Sequence, residues 1–267
     1  MQEPQTYLDK ELSWLSFNER VLQEAADTSV PIIERIHFLG IYSANLDEFF
    51  RVRVADIRRR TLLESAQDND GHRWSILLGD ITKKVNILTE KFKTIADDIF
   101  TELKKHHIHV VFDNEDSSVF REQLTGYQLK WLKQYFENRI IRHITPIMIS
   151  SSTQISACLD DDAIYFLVAL KNNNNVQFSM VKIPRMEEKR FITLPTQGTK
   201  KEKYIVLLDD VVKYFIHEVY KGFYDYQSIE AFSIKLTRDA EYNLTDELDR
   251  SLLDKMSKGL KQRLKAD

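Results

Sequence analysis

The sequence predicts an α+β protein in two parts: an N-terminal all-helical bundle over residues 1–107, then an antiparallel-sheet α+β domain over 108–267. Three observations carry this. Apolar residues recur at spacings of three and four through the first hundred residues, which is helical periodicity. At Ile108-His-Val-Val-Phe the period shifts toward that of a strand. Beyond it, β-rich runs joined by tight turns alternate with helical segments, a pattern that argues for an antiparallel α+β domain.

Ser16 with Glu19 has the spacing of a capping box and predicts the start of a short helix, with Val21, Leu22 and Ala25 on its buried side. Trp14 and Phe17 read as core anchors at its boundary. Asp27-Thr-Ser-Val-Pro is a turn, and Pro31 suits the first turn of the next helix because its missing amide hydrogen needs no partner there. Ile32, Ile33, Ile36 and Leu39 form the following apolar stripe. Gln67-Asp-Asn-Asp-Gly-His is a polar turn. Ile81, Val85, Leu88, Phe92, Ile95, Ile99 and Leu103 then mark one amphipathic helix reaching about Lys105, roughly 50 Å long at 1.5 Å per residue. Its charged face, with Lys83, Lys84, Glu90, Lys91 and Lys93, reads as solvent-facing. In the second part, Thr125 opens a helix with Leu129, Leu132, Phe136 and Ile140 inward. Strands are expected at Ala163–Leu170 and Val176–Ile183, joined by an asparagine turn at Asn172–Asn175, and again at Arg190–Leu194, Tyr204–Leu208 and Ile229–Leu236. Helices are expected at Asp209–Tyr220 and from Thr245 to about Leu264.

Composition narrows the chemistry. With 38 basic and 41 acidic residues among 267, the net charge is −3, so no global field recruits nucleic acid or anionic lipid, and any anion site must be local. A hydrophobic fraction of 43% and a charged fraction of 30% describe a globular chain. Cys158 is the single cysteine, which excludes an internal disulfide and a cysteine-rich metal site; it reads as core. The N-terminus has no basic and apolar leader pattern and no apolar run reaches a membrane span, so a cytoplasmic protein with no transmembrane segment is expected. His106-His-Ile-His invites a metal reading, but no carboxylate shares a clean ligand spacing with it; cationic side chains at a helix C-terminus are the preferred reading, and no metal site is assigned.

The most distinctive stretch is Gly40–Arg60. From Ile41 on it holds five arginines and no lysine against three acids. Arginine's rigid fork of donors matches phosphate and carboxylate oxygens. Leu46, Phe49, Phe50, Arg53, Val54 and Ile57 step by three and four, giving a helix with an apolar face and an arginine edge. On composition alone the arginines are favoured as a solvated face paired to Glu48 and Asp56. Asn45 has two readings. With Glu48 three residues on, it makes an N-cap after the interruption at Gly40 and Ser43; equally, its carboxamide offers one acceptor and two donors to a ligand.

The run Lys-Glu-Leu-Ser-Trp-Leu-Ser-Phe-Asn-Glu-Arg-Val-Leu-Gln-Glu-Ala from Lys10, with Pro-Ile-Ile-Glu-Arg-Ile-His-Phe-Leu-Gly-Ile-Tyr-Ser-Ala-Asn-Leu-Asp-Glu-Phe-Phe from Pro31, resembles the N-terminal domain of bacterial polyphosphate kinases. Thr237-Arg-Asp-Ala-Glu-Tyr and Ser257-Lys-Gly-Leu-Lys-Gln-Arg-Leu resemble that family's second, or head, domain. The resemblance implies an enzyme that moves the terminal phosphate of ATP reversibly onto polyphosphate through a phosphohistidine, with magnesium. It also implies that Asn45, within Ser-Ala-Asn-Leu-Asp, contacts bound nucleotide. It assigns no individual contact to Arg51, Arg53, Arg58, Arg59 or Arg60. Its head domain implies a homodimer.

In the family the phosphoryl-accepting histidine lies in a His-x-Lys setting in a phospholipase-D-like C-terminal half. None of the seven histidines, His37, His72, His106, His107, His109, His143 and His217, has lysine two places on. The expectation is therefore a chain with no catalytic residue, an incomplete head domain and no activity by itself. The alternative is a non-catalytic nucleotide- or polyphosphate-binding or dimerisation module. Nucleic-acid binding ranks last, because no aromatic platforms are interleaved with the basic residues.

Overall fold

A computed structural model describes residues 9–64, 72–113, 117–150, 159–160, 163–172, 175–184, 190–197 and 201–236. These fall into two compact units, one ending at Glu102 and the other running from Leu103 to Leu236. The first is helical and the second holds both sheets, so the α+β class holds.

The helical unit contains α1 (Lys10–Ala26), α2 (Ile32–Phe49), α3 (Ala55–Glu64) and most of α4 (His72–Lys105). The stripe read along α4 is its buried face: Ile81, Leu88 and Ile99 are at most 1% exposed, and Val85, Phe92 and Ile95 pack against the same core. Pro31 stands at the N-cap of α2, one residue ahead of the expected position. The buried Arg35 donates from Nε to the Ala25 carbonyl at 2.8 Å, satisfying an acceptor that the end of α1 leaves without a helical partner.

The capping box at Ser16 and Glu19 does not form, since α1 has already begun at Lys10 and the Ser16 hydroxyl donates to Leu12 O within the helix. Phe17 is exposed, whereas Trp14 stacks on Phe49 with ring centroids 4.7 Å apart. Asn45 caps nothing, because α2 runs unbroken through Gly40 and Ser43. A helical glycine costs about 1 kcal/mol relative to alanine. Burial of Leu39 and Tyr42 on either side of Gly40 outweighs that cost.

Between α2 and α3 the backbone widens into a π-helical turn at Phe50–Val54. Such a turn absorbs one extra residue. The buried positions are accordingly Phe49, then Val54 five residues later, then Ile57, and Phe50 is turned outward instead of joining the stripe.

The second unit has a three-stranded sheet in the order β1-β6-β5 and a four-stranded antiparallel sheet in the order β2-β4-β3-β7. The strands are β1 (Ile108–Val111), β2 (Pro146–Ile149), β3 (Ile164–Asn172), β4 (Asn175–Lys182), β5 (Phe191–Leu194), β6 (Lys203–Leu207) and β7 (Ser228–Lys235). The β3–β4 ladder runs out to Asn172 opposite Asn175, as the asparagine turn requires. One pair departs from an all-antiparallel arrangement: β1 lies parallel to β6, with Ile108 opposite Lys203.

The helices are α5 (Ser117–Glu122), α6 (Gly126–Tyr135), α7 (Leu208–Tyr214) and α8 (Ile216–Tyr220). Thr125 caps α6 reciprocally with Gln128, and Leu132, Phe136 and Ile140 are fully buried. The single helix expected over Asp209–Tyr220 is divided at Phe215, where the backbone leaves the helical region at φ −97°, ψ 17°. Strand β2 and helix α5 were not foreseen. Cys158 and the expected helix from Thr245 lie outside the described residues, as does most of the polar turn after Gln67.

Candidate nucleotide-contacting site

The elements that position Asn45 are α1 and α2. Along α1 the inward positions are Leu15, Asn18, Leu22 and Ala25, spaced three, four and three, so an asparagine stands where the stripe calls for an apolar residue. Asn18 is 0% exposed. A carboxamide so placed must find hydrogen-bond partners or cost on the order of 1–3 kcal/mol, and it finds them on α2. Its Nδ2 donates to the Tyr42 carbonyl at 3.1 Å, and its Oδ1 accepts from Asn45 Nδ2 at 3.0 Å. Asn45 is only part-buried.

Next to Asn18, the largely buried Glu19 carboxylate takes hydrogen bonds from Lys84 and Lys91, one helical face of α4. These two bonds, that from Lys84 first, hold the Glu19 carboxyl below its ordinary range. Lys84 and Lys91 thus cross-link α4 to α1 instead of simply facing solvent. Tyr42, stacked on Phe92 at 5.6 Å, has a buried hydroxyl without a hydrogen-bond partner. Burial, and secondarily the Glu19 charge, raise its pKa.

The arginine edge follows the solvated reading in part. Arg51 lies 3.9 Å from Glu48, Arg59 and Arg60 lie 3.5 and 2.9 Å from Asp56, and the Arg60 guanidinium sits over the Trp74 ring.

In the second unit His107 and His109 do meet a carboxylate, and it comes from a distant part of the chain. His107 Nδ1 and His109 Nε2 lie 2.9 and 2.6 Å from the two oxygens of Glu202, whose pKa they lower, His109 most. The parallel pairing of β1 with β6 brings them together. Among the described residues no group of three or more His, Cys, Asp or Glu side chains is placed to hold a metal ion. Among the same residues no helix is long and apolar enough to cross a membrane.

Asn18 and Glu202 were not singled out from sequence, and Glu19 was read there only as the capping-box partner of Ser16. Asn18 had a readable signal, a polar residue in phase with an apolar stripe; Glu202 had none, since its partners are more than ninety residues away.

Comparison with known proteins bears on the whole chain. The polyphosphate kinase N-terminal domain matches residues 7–111, and the polyphosphate kinase middle domain matches residues 127–267. The polyphosphate kinase of Escherichia coli K12 is 41% identical over 267 residues, covering 100% of this chain and 38% of that protein. That of Vibrio cholerae is 42% identical over 261 residues, covering 97% of this chain and 36% of that protein. The crystal structure of polyphosphate kinase from Porphyromonas gingivalis superimposes with a TM-score of 0.66 at 28% identity, over 86% of this chain and 34% of that one. The chain therefore spans well under half the length of these relatives, and it belongs to the polyphosphate kinase family through the N-terminal and middle domains of that family.

Proposed function

We propose that this chain supplies the nucleotide-contacting N-terminal and middle portions of an ATP:polyphosphate phosphotransferase, working as a homodimer, and that Asn45 touches the bound nucleotide. The observation that carries the reading is the Asn45 carboxamide itself. It is part-buried and anchored on one side by the fully buried Asn18, with hydrogen-bonding capacity left over. Equilibrium binding of ATP to wild type and Asn45→Ala tests it. The expected result is a loss of about tenfold in the variant, the worth of a hydrogen bond to a ligand; equal affinities defeat it.

Phosphoryl transfer through a histidine needs that nucleophile held in line with the γ-phosphate. No histidine of this chain stands in a His-x-Lys setting, and His37, His107, His109 and His217 are each set against a glutamate. The magnesium of the family finds no fitting donor set among the described residues. Purified chain incubated with ATP and polyphosphate is expected to give no turnover above a chain-free control. Turnover, or phosphate attached to an imidazole, would refute the reading of this chain as a recognition part.

A further inference from the structure

We infer that Asp113 and Asp210 share a single proton that latches the end of strand β1 to the first turn of α7, holding β1 while the proton is present and loosening it when the proton leaves. The inference is independent of the nucleotide reading, since every group in it belongs to the α+β unit.

The parallel pairing of β1 with β6 makes the encounter. Its register ends at Val111 opposite Val206, and β6 then passes directly into α7. Asp113 stands just beyond the end of the first strand, and Asp209 and Asp210 just beyond the end of the second. Carboxyls from two distant segments thereby meet at one end of the three-stranded sheet, where β1 is an edge strand with β6 as its neighbour. The Asp113 amide donates to the Asp210 carboxyl. The Asp113 side chain is itself 0% exposed, and neither of its oxygens has a hydrogen-bond partner among the described residues. Asp209 Oδ1 and Asp210 Oδ2 are buried in the same condition.

Two cations face these three carboxyls. Arg190 donates to Asp209 Oδ2 at 2.6 Å, and Lys213 Nζ lies 3.4 Å from Asp113 Oδ2 without hydrogen-bond geometry. Full ionisation would leave one buried negative charge uncompensated, which is more costly than neutralising it. The three carboxyls are not placed to hold a metal ion. A proton needs no coordination shell. Taken from solvent onto Asp210 Oδ2, it turns an orphaned acceptor into a donor for the Asp113 carboxylate, whose oxygens are both open. The charges acting on Asp210 agree: Asp209 and Asp113 oppose its ionisation and Lys213 favours it. The Asp113 amide bond also favours the ionised form, but burial and the two acids outweigh it and push the Asp210 carboxyl up to about 7. A group whose pKa is raised by closing holds the latch below that value and releases it above.

The test is amide hydrogen exchange of the intact chain by nuclear magnetic resonance from pH 6 to 8.5, expressed as protection factors so that the intrinsic pH dependence of exchange is removed. The Asp113 amide is expected to lose about tenfold of its protection over that range, the change a group titrating near 7 gives. Its protection is expected to stay below that of Val168, which lies in a strand paired on both sides, because the latch opens without global unfolding. In Asp210→Asn the carboxamide keeps an acceptor for the Asp113 amide and a donor for the Asp113 carboxylate, so the fall is expected to vanish. In Asp113→Asn the new carboxamide donates to Asp210 at every pH, and the fall is expected to vanish again; titration of Asp210 without sharing would preserve it. A flat wild-type profile, a persistent fall in either folded variant, or Asp113 protection equal to that of Val168 throughout overturns the latch. Should both variants fail to fold, carbon-13 titration of wild type decides. The Asp113 and Asp210 carboxyl carbons must respond in one common step, and separate steps, or a response at Asp210 alone, overturn the sharing.

Discussion

The two units use their buried polar groups in opposite ways. In the helical unit a hydrogen-bond chain starts at a backbone carbonyl, passes through fully buried Asn18 and ends at part-buried Asn45, where capacity remains. In the α+β unit a similar chain closes on itself. The Tyr220 hydroxyl donates to Ser179 Oγ at 2.9 Å, and Ser179 donates to the Ile147 carbonyl at 3.1 Å, with Tyr220 and Ser179 both within 1% of full burial. Burial pushes the Tyr220 pKa up to about 12, so the phenol stays a donor. The open chain has something to offer a ligand, whereas the closed one fastens α8 to β4 and β2.

The units differ in charge as well. Glu19 in the helical unit is matched by two lysines and its pKa is lowered, so its contribution to stability is present above its ordinary value of 4.5 and is lost as pH falls through the lowered one. The α+β unit crowds Asp113, Asp209 and Asp210 together. Burial first, then the charges of Asp209 and Asp113, push the Asp210 carboxyl from 3.8 to about 7. The sign is reversed: the Asp210 contribution is fully present below pH 3.8 and is lost as pH rises through about 7.

The largest expected effect exploits that contrast. Asp210→Asn should stabilise the protein at pH 8 by on the order of 2–4 kcal/mol, with the gain vanishing at acid pH. Denaturant unfolding across pH reads this directly, and an unchanged or lowered midpoint at pH 8 would show that the acid cluster is not penalised. A smaller effect separates closed from open chains. Ser179→Ala leaves the buried Tyr220 hydroxyl without its acceptor and should cost about 1–3 kcal/mol in unfolding experiments, while ATP affinity stays at the wild-type level. A parallel loss of nucleotide binding would erase the distinction between the two chains.

Much of this was legible in the residues because it is local. The α4 stripe, the Thr125 cap and the β3–β4 hairpin each depend on a few neighbouring positions with a clear period or cap. The failures have non-local causes. Gly40 and Ser43 look like a break, yet tertiary packing of Leu39 and Tyr42 carries α2 through them, and Asn45 consequently sits mid-helix. Ser16 looked like a cap because its helix begins six residues earlier without any side-chain cap. The parallel β1–β6 pair joins segments about ninety-five residues apart, and nothing in either segment announces the other. Asn45 was singled out by resemblance, while Asn18, which holds it, stood in plain phase with Leu15 and Leu22.

The widened turn at Phe50–Val54 has a geometric consequence for anyone drawing this region as a helical wheel. One surplus residue rotates everything downstream by about 100° relative to an uninterrupted helix. Arg58, Arg59 and Arg60 therefore point along a different azimuth from the one a projection anchored on Asn45 would assign. Charge-reversal scans planned on such a projection would pair the wrong side chains, and the two halves should be indexed separately, one ending at Phe49 and the other beginning at Ala55.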